Sequence, residues 1–347
     1  MSDSRMSPRI PWYRPALPRD ELRMLTRRSD AKGFIYCAAY LGLVAATGTS
    51  IVLLTGSAPW WTIVLLLVVH GTIFAFMING FHELTHGTVF RTKWLNEAFL
   101  WVFSFLGWYS FLGFRASHTR HHAYTLHPPD DQEVLLPRTI TLKGFLLTAF
   151  VNPIGFYNNV RQTIRLASGV IEGTWQQRIF GDGATRPGGP IDRRNHIRWA
   201  RLLLFGHAAI VAGGVASGLW MLPVVTTLGR FYGSWLHGLC NSTQHIGLTD
   251  NVNDFRLCCR TIELNPIVRF LYWQMNYHTE HHMYAAVPCY NLRALHLTLR
   301  HDLAPTVVGL RRAWIHIAEI LKRQKTDPDY HYVPVLPPTP GSEGQPT

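Results

Sequence analysis

Histidines recur in this sequence at spacings that suit metal binding. His82 and His86 form an HxxxH pair in the stretch FHELTHGTVF, and two later stretches, SHTRHH and YHTEHH, each contain an HxxHH pattern. Residues three or four positions apart lie on one face of a helix, so each pattern could direct its imidazoles toward a shared ion. A further histidine follows Asn241 by four positions, again one helical turn. The candidate ligands are His82, His86, His118, His121, His122, His245, His278, His281 and His282.

The number and type of these donors indicate two metal ions. A tetrahedral zinc takes at most four ligands and a catalytic zinc keeps one position open, so nine imidazoles exceed the needs of one ion. Imidazole nitrogen suits iron, copper, nickel and zinc, and spacing alone does not separate these metals.

The first pair also matches the HExxH signature of zinc metalloproteases, in which Glu83 would act as the base. An intramembrane protease of that kind would need a third ligand, usually an aspartate, from a later membrane span. The later apolar stretches contain neither Asp nor Glu, so the protease stays a remote alternative. A metal-binding or transport protein without redox chemistry is another alternative, which oxygen consumption with substrate would separate from an oxygenase.

Several apolar stretches are long enough to position these histidines at a membrane, because a bilayer-spanning helix needs about 20 apolar residues. The predicted spans are residues 34–54, 61–81, 202–219 and 221–240. Arg230, near the middle of the last of them, makes it the least secure. Residues 98–114 are shorter and rich in Phe and Trp, which favours an interfacial or re-entrant segment.

The charge distribution predicts how these spans are oriented. A formal net charge of +12 beside such apolar stretches favours an anionic membrane surface over nucleic acid as the partner. Residues 1–33, residues 115–201 and those after 241 are rich in Arg and Lys, whereas the two short loops between paired spans carry no charge. By the positive-inside rule, both termini and the metal site face the cytoplasm. The expected fold is all-α and integral to the membrane, with four helices in two hairpins and a cytosolic helical cap that holds the metals.

The sequence also predicts how the chain is divided. Residues 1–33 are expected to form a cytosolic segment with a short amphipathic helix, residues 34–335 the membrane domain, and residues 336–347 a disordered tail. The stretch GDGATRPGGP predicts a flexible loop. The five cysteines show no CxxC spacing, so neither a disulfide framework nor a thiolate zinc site is expected. No secretory signal peptide is expected, because a long polar stretch precedes the first apolar segment.

The three histidine boxes in this order resemble the integral-membrane fatty acid desaturase and hydroxylase superfamily. The resemblance covers about residues 15–302 and includes flanking phrases such as QHIGLTDNVNDFR and YHTEHHMYAAVPCYNL. It implies four membrane helices, a cytosolic cap and a non-haem diiron centre that uses O2 as co-substrate. The nine histidines would be the iron ligands. By motif position, Asn241 resembles an asparagine that reaches a metal through water.

The resemblance also implies an activity, namely oxygen-dependent introduction of a C=C bond into an aliphatic chain, with fatty acyl as the commonest substrate class. Hydroxylases, ketolases and acetylenases share the centre, and relatives act on smaller metabolites such as amino-acid derivatives, so these alternatives stay open. His278 stands where front-end desaturases have Gln, which disfavours that subclass. No HPGG-type cytochrome b5 domain is fused to the chain, so a separate ferredoxin or cytochrome with its reductase is expected to supply electrons.

Carboxylates near the boxes could orient the ligands by accepting hydrogen bonds from imidazole N–H groups. Glu83 and Glu280 lie inside boxes, and Asp130, Asp131 and Glu133 follow the second box. A solvated acidic face is the alternative for the last three.

The remaining histidines are expected to be mainly structural. His237 precedes Asn241 by one helical turn and could orient a ligand or a water, or could be a buried histidine with its hydrogen bonds satisfied. For His70, His127 and His207 we expect a structural role.

Overall fold

The computed structural model describes residues 8–136, 140–170 and 192–338, and nearly all regular structure there is helical. The predicted loop at 181–190 and most of the predicted tail, from residue 339, lie outside these residues. The α-helices are α1 Arg19–Leu25, α2 Asp30–Leu54, α3 Trp60–Ala75, α4 Met77–Thr85, α5 Lys93–Leu106, α6 Phe111–Tyr124, α7 Leu142–Ala149, α8 Pro153–Ala167, α9 Arg193–Ala216, α10 Met221–Val225, α11 Trp235–Asn241, α12 Phe255–Cys258, α13 Pro266–Leu271, α14 His278–Met283, α15 Leu292–Leu299 and α16 Leu310–Arg323. Two 3-10 turns occur at Gly229–Phe231 and Cys289–Asn291, and β1 Ile262–Glu263 pairs in parallel with β2 Val307–Val308.

The chain divides into two compact units. Unit 1 consists of Ser29–Arg120 and Ile140–Leu239 and contains the long apolar helices. Unit 2 consists of Pro8–Arg28, His121–Thr139 and Cys240–Thr347 and contains several short helices, both strands and most of the candidate ligands.

Within the described ranges, three helical segments are long and apolar enough to cross a membrane. They are Arg19–Leu54, which joins α1 and α2, Trp60–Thr85, which joins α3 and α4, and Arg193–Ala216, which is α9. They contain most or all of the predicted spans at 34–54, 61–81 and 202–219. A fourth crossing is available if α5 and α6, which meet at a bend of 106°, act as one broken span. This bend falls inside residues 98–114, where we expected an interfacial or re-entrant segment.

Helix α2 illustrates how these apolar helices begin and which of their faces is buried. It starts at Ser29, whose side chain accepts a hydrogen bond from the Lys32 N–H. Its buried residues recur every three or four positions, which leaves the opposite face exposed. His70 of α3 bonds Thr47 of α2 at 2.7 Å and the carbonyl oxygen of Val225 of α10 at 2.8 Å, which is the structural role expected for it. The buried residues of α2 are Gly33, Cys37, Tyr40, Val44, Gly48 and Ile51.

The predicted span at 221–240 is wrong, because this stretch is not one helix. It consists of the short helices α10 and α11 with a 3-10 turn between them. Gly233 has φ +71°, and a Cβ there would lie 2.5 Å from the backbone of Gly71 in α3. The chain therefore approaches α3 too closely for a helix with side chains on all faces.

Arg230 lies inside this irregular stretch, and its contacts show how the protein accommodates a charge there. Its guanidinium donates to the carbonyl of Gly107 at 2.9 Å, at the break between α5 and α6, and lies 4.4 Å from the centre of the Tyr109 ring. The backbone around it bonds to other segments as well. The Gly233 N–H donates to the Phe150 carbonyl at 2.9 Å, and the Phe231 carbonyl accepts from the Asn152 N–H at 2.8 Å. Irregular backbone is tolerated at membrane depth where protein groups satisfy it in this way.

Gly233→Ala should destabilise the protein strongly, by at least about 3 kcal/mol, since it combines a left-handed backbone with a steric clash. Gly42→Ala is the matched control, because nothing lies within 4 Å of a Cβ at that helical position. We expect the control to be neutral or stabilising by about 0.5–1 kcal/mol. Thermal unfolding in detergent measures both changes, and equal melting temperatures for the two variants would contradict this account of the break.

Candidate metal centre

A buried cluster of four histidines lies within unit 2. His121 comes from α6, His278 and His282 from α14, and His245 from the turn that follows α11. All four are buried, and their candidate ligand nitrogens lie within 4.8 Å of one another. The Nε2 atom of His278 is 2.9 Å from that of His245 and 3.2 Å from that of His282. Adjacent imidazole nitrogens bound to one ion at about 2.0–2.1 Å lie about 3 Å apart, so this spacing fits a shared metal.

The other nitrogen of these rings is held by the surrounding protein. Nδ1 of His245 lies 2.8 Å from the Cys258 carbonyl oxygen, and a carbonyl can only accept, so this nitrogen carries the proton. The Thr125 hydroxyl donates to the His121 carbonyl, which leaves its oxygen to accept from Nδ1 of His282 at 3.1 Å. Protonation at Nδ1 leaves the Nε2 lone pairs available for a metal.

Burial favours the neutral form of two imidazoles in the cluster. Burial, together with the charge of His121, lowers the pKa of His245 to about 3. Burial and the neighbouring histidines lower the pKa of His282 well below its ordinary value. Against the effect of its burial, the hydrogen bond to Asp131 instead raises the pKa of His121. A neutral imidazole is the form that binds a metal, so His245 and His282 are suited to a cation at neutral pH.

Asp131 orients one of these ligands. Its carboxylate accepts from Nδ1 of His121 at 2.8 Å and from the backbone N–H groups of Leu126 and Glu133 at 2.8 and 2.9 Å. Burial opposes ionisation of Asp131, but these hydrogen bonds prevail and lower its pKa. Asp131 thus fixes the orientation of the His121 ring, and its role beside a metal ligand stays a prediction.

Asp131→Asn should weaken metal binding by about 10–100-fold, because the amide removes the charge that fixes the His121 ring. Competition with a chelator, followed by metal analysis, measures this loss. Asp329→Asn is the control, since Asp329 is exposed. Equal metal retention in the two variants would show that Asp131 does not support a ligand.

A second group of histidines lies within unit 1. His82 and His86 come from α4 and the residue that ends it, and His118 comes from α6. The Nε2 atoms of His86 and His118 are 3.2 Å apart, and the rings of His82 and His118 lie 4.2 Å apart. Nδ1 of His82 lies 3.0 Å from Oε1 of the fully buried Glu83. Glu83 therefore lies within hydrogen-bonding distance of the ring nitrogen of a candidate ligand.

The HxxHH boxes do not direct three imidazoles to one place, so that expectation needs correction. In α14, His278 and His282 join the four-histidine cluster, whereas Nε2 of His281 lies 3.2 Å from Nε2 of His122. In α6, consecutive residues are separated in the same way, since His121 joins the cluster and His122 pairs with His281. A helix turns about 100° per residue, so neighbouring side chains in a box point to different groups.

Glu280 does not hold a ligand, although it lies inside the third box. Its carboxylate oxygens bond the Thr261 hydroxyl and Nδ1 of His296. Nε2 of His296 lies 3.8 Å from the carboxylate of Glu263. Sequence reasoning missed His296, because a lone histidine in a short amphipathic helix carries no motif.

The other predicted residues have various positions. Asn241 ends α11, so His245 lies in a turn after the helix and not one helical turn along it. The ring of His237 packs edge to face on Phe76 at 5.5 Å. Asp130 lies in a turn, where its N–H donates to the His127 carbonyl.

Two further histidines have the structural role expected of them. The His207 ring stacks on Trp108 at 3.9 Å and bonds the Phe105 carbonyl at 2.9 Å. The His127 ring bonds the Thr125 carbonyl at 2.8 Å.

Comparison with known protein families gives a match over most of the chain. Residues 58–314 match the family model described as fatty acid desaturase, which covers well over half of the 347 residues. The matched range contains all nine candidate ligands and the residues that orient them. No curated protein matches the chain.

Proposed function

Because the chain belongs to the fatty acid desaturase family, we propose that it is an oxygen-dependent diiron oxidoreductase that introduces a C=C bond into an aliphatic chain. The observation that carries this proposal is the buried four-histidine cluster, in which Nε2 atoms face one another while the Nδ1 groups of three rings are bonded to protein. Such a donor set binds a borderline transition metal and offers nothing to a purely organic reaction.

We assign the iron ligands residue by residue. One iron would be held by the four-histidine cluster. His82, His86, His118, His122 and His281 are the other proposed iron ligands. When bound, the two irons would supply the dioxygen chemistry that oxidation of an unactivated C–H bond requires. The protein's own contribution is to orient the imidazoles, to shield them from water and to keep His245 and His282 neutral. Asp131 and the Cys258 carbonyl orient ligands, and Asn241 is proposed to reach a metal through water.

The proposed location is a membrane, with several passes and with both termini and the metal site on the cytoplasmic side. Large apolar side chains are exposed along the long helices of unit 1, for example Leu65 at 58% and Phe205 at 78%. Such surface suits lipid tails, and the basic segments outside the spans support a cytoplasmic orientation. An apolar chain dissolved in the same bilayer is the substrate class that fits this setting, with fatty acyl chains as the specific proposal.

Iron content and product mass test the proposal together. Purified protein should contain about two irons per chain, because nine imidazoles supply ligands for two sites. A desaturated product is lighter than its substrate by two hydrogen atoms, whereas a hydroxylated product is heavier by one oxygen atom. Mass spectrometry of lipids and small metabolites from expressing cells, with a ligand variant as control, separates these outcomes. One zinc per chain without iron would refute the diiron assignment. Unchanged lipids with an altered polar metabolite would show that the substrate is a small metabolite and not a fatty acyl chain.

A further inference from the structure

A small pocket lies within unit 2, and none of the nine candidate ligands lines it. Its volume is about 50 Å³, which leaves room for a group of about three to five heavy atoms. Leucine, proline and valine side chains form one part of its wall, and the polar part includes Arg260, His316 and Tyr332. No residue that lines this pocket is acidic.

Arg260 is the unusual member of the lining. It is 93% buried, and its Nη1 group donates to the carbonyls of Thr243 and Ile246 at 2.6 and 3.1 Å. Its Nη2 group is buried and has no hydrogen-bond partner within the described chain. A buried charge without a counterion is costly, and buried polar groups in proteins are nearly always bonded. The unsatisfied group therefore indicates a missing acceptor.

Arg256, which also lines the pocket, shows how the same protein treats a buried guanidinium that is compensated. It bonds the carboxylates of Asp254 and Asp302 at 2.8 and 3.0 Å. Arg260 has no carboxylate partner among the described residues. Its partners are carbonyl oxygens, which accept hydrogen bonds but carry no full negative charge. Two aromatic residues of the lining add hydrogen-bond donors, namely the imidazole N–H of His316 and the phenol O–H of Tyr332. Their rings meet edge to face at 4.3 Å.

We propose that this pocket binds a small oxyanion, a carboxylate or phosphate group, with Arg260 as the charged donor and Tyr332 and His316 beside it. A guanidinium presents paired N–H groups that match the oxygens of such anions. The apolar wall would accept a short hydrocarbon substituent on a carboxylate. This proposal does not depend on the desaturase assignment.

The position of the site gives the anion a structural effect. The Arg260 N–H donates to the Gln244 carbonyl at 2.8 Å, so backbone and side chain together hold the turn at residues 243–246, which contains His245. On the other side, the Tyr332 N–H donates to the Gly247 carbonyl at 2.8 Å. A bound anion would link this turn to the segment at residues 330–334, and we expect it to raise the melting temperature.

Thermal unfolding of the full-length, metal-loaded protein in detergent tests the site. Inorganic phosphate, acetate and propionate are titrated separately against sodium chloride at matched ionic strength and pH. Wild-type protein should be stabilised saturably, by about 3 °C, by at least one of the three probes. A preference for propionate over phosphate would identify an organic carboxylate as the ligand class, and the reverse would identify phosphate.

Arg260→Met should abolish the saturable shift, and Arg312→Met, an exposed arginine on α16, should retain it. If Arg260→Met does not fold, Tyr332→Phe tests the site instead. Loss of the phenol hydroxyl should raise the half-saturating anion concentration at least about 3-fold. Equal stabilisation by chloride, or an unchanged response in Arg260→Met or Tyr332→Phe, would overturn the proposal and assign a water to the pocket.

Discussion

His282→Ala and His245→Ala should each lower activity by at least about 10³-fold and reduce iron from about two to about one per chain. Both side chains belong to the buried four-histidine cluster. The Nε2 atoms of His245 and His282 lie 2.9 and 3.2 Å from Nε2 of His278, a spacing that fits a shared metal. Alanine removes one ligand and leaves a cavity that water enters, so the remaining imidazoles hold the ion weakly. Product formation and metal analysis on the same preparation measure both effects.

His245 makes this test informative, because it lies outside the three histidine boxes. His301→Ala is the matched control, since His301 is exposed and outside both histidine groups. We expect the control to keep full activity and both irons. Full activity in His245→Ala would show that its assignment as a ligand is wrong, whereas loss of activity with both irons retained would point to a role in positioning.

Withdrawal of either oxygen or the electron donor should stop catalysis completely. Desaturation takes two electrons from the substrate, and reduction of O2 to two waters takes four, so an external donor must supply the other two. Purified protein with substrate and oxygen alone should therefore give at most one turnover. Addition of a reductase with ferredoxin or a cytochrome should restore continuous turnover.

Product yield per enzyme molecule, measured with and without the donor, separates a single turnover from catalysis. The control is the His282→Ala protein with donor and oxygen, which excludes chemistry by the donor proteins. Sustained conversion under strict anaerobiosis would contradict the oxygen-dependent mechanism. Peptide-bond cleavage under those conditions would instead support the HExxH protease.

The sequence predicted the clustering of the histidines well, because short spacings on helices are local and leave few geometric choices. It could not predict which imidazoles share a group. His281 and His282 are adjacent in α14, and their separation into different groups depends on which side chains from distant segments meet them. Whether all nine bind iron remains a proposal.

Predictions that depended on long-range contacts were less successful. The stretch at 221–240 has the composition of a span, but Gly233 and Arg230 make contacts with Gly71 and Gly107 that no local pattern reveals. The partners of Glu280 were missed for the same reason. His296 and Thr261 lie 16 and 19 positions away, and neither belongs to a motif.

The interrupted stretch at 221–240 imposes an order on biosynthesis. Helices α2, α3 and α9 satisfy their own backbone groups and can leave the translocon for lipid one at a time. The turn around Arg230 cannot, since its hydrogen-bond partners are Gly107, Phe150 and Asn152 from earlier segments. We therefore expect this part of the polypeptide to enter the bilayer only after those segments have assembled and can bond it.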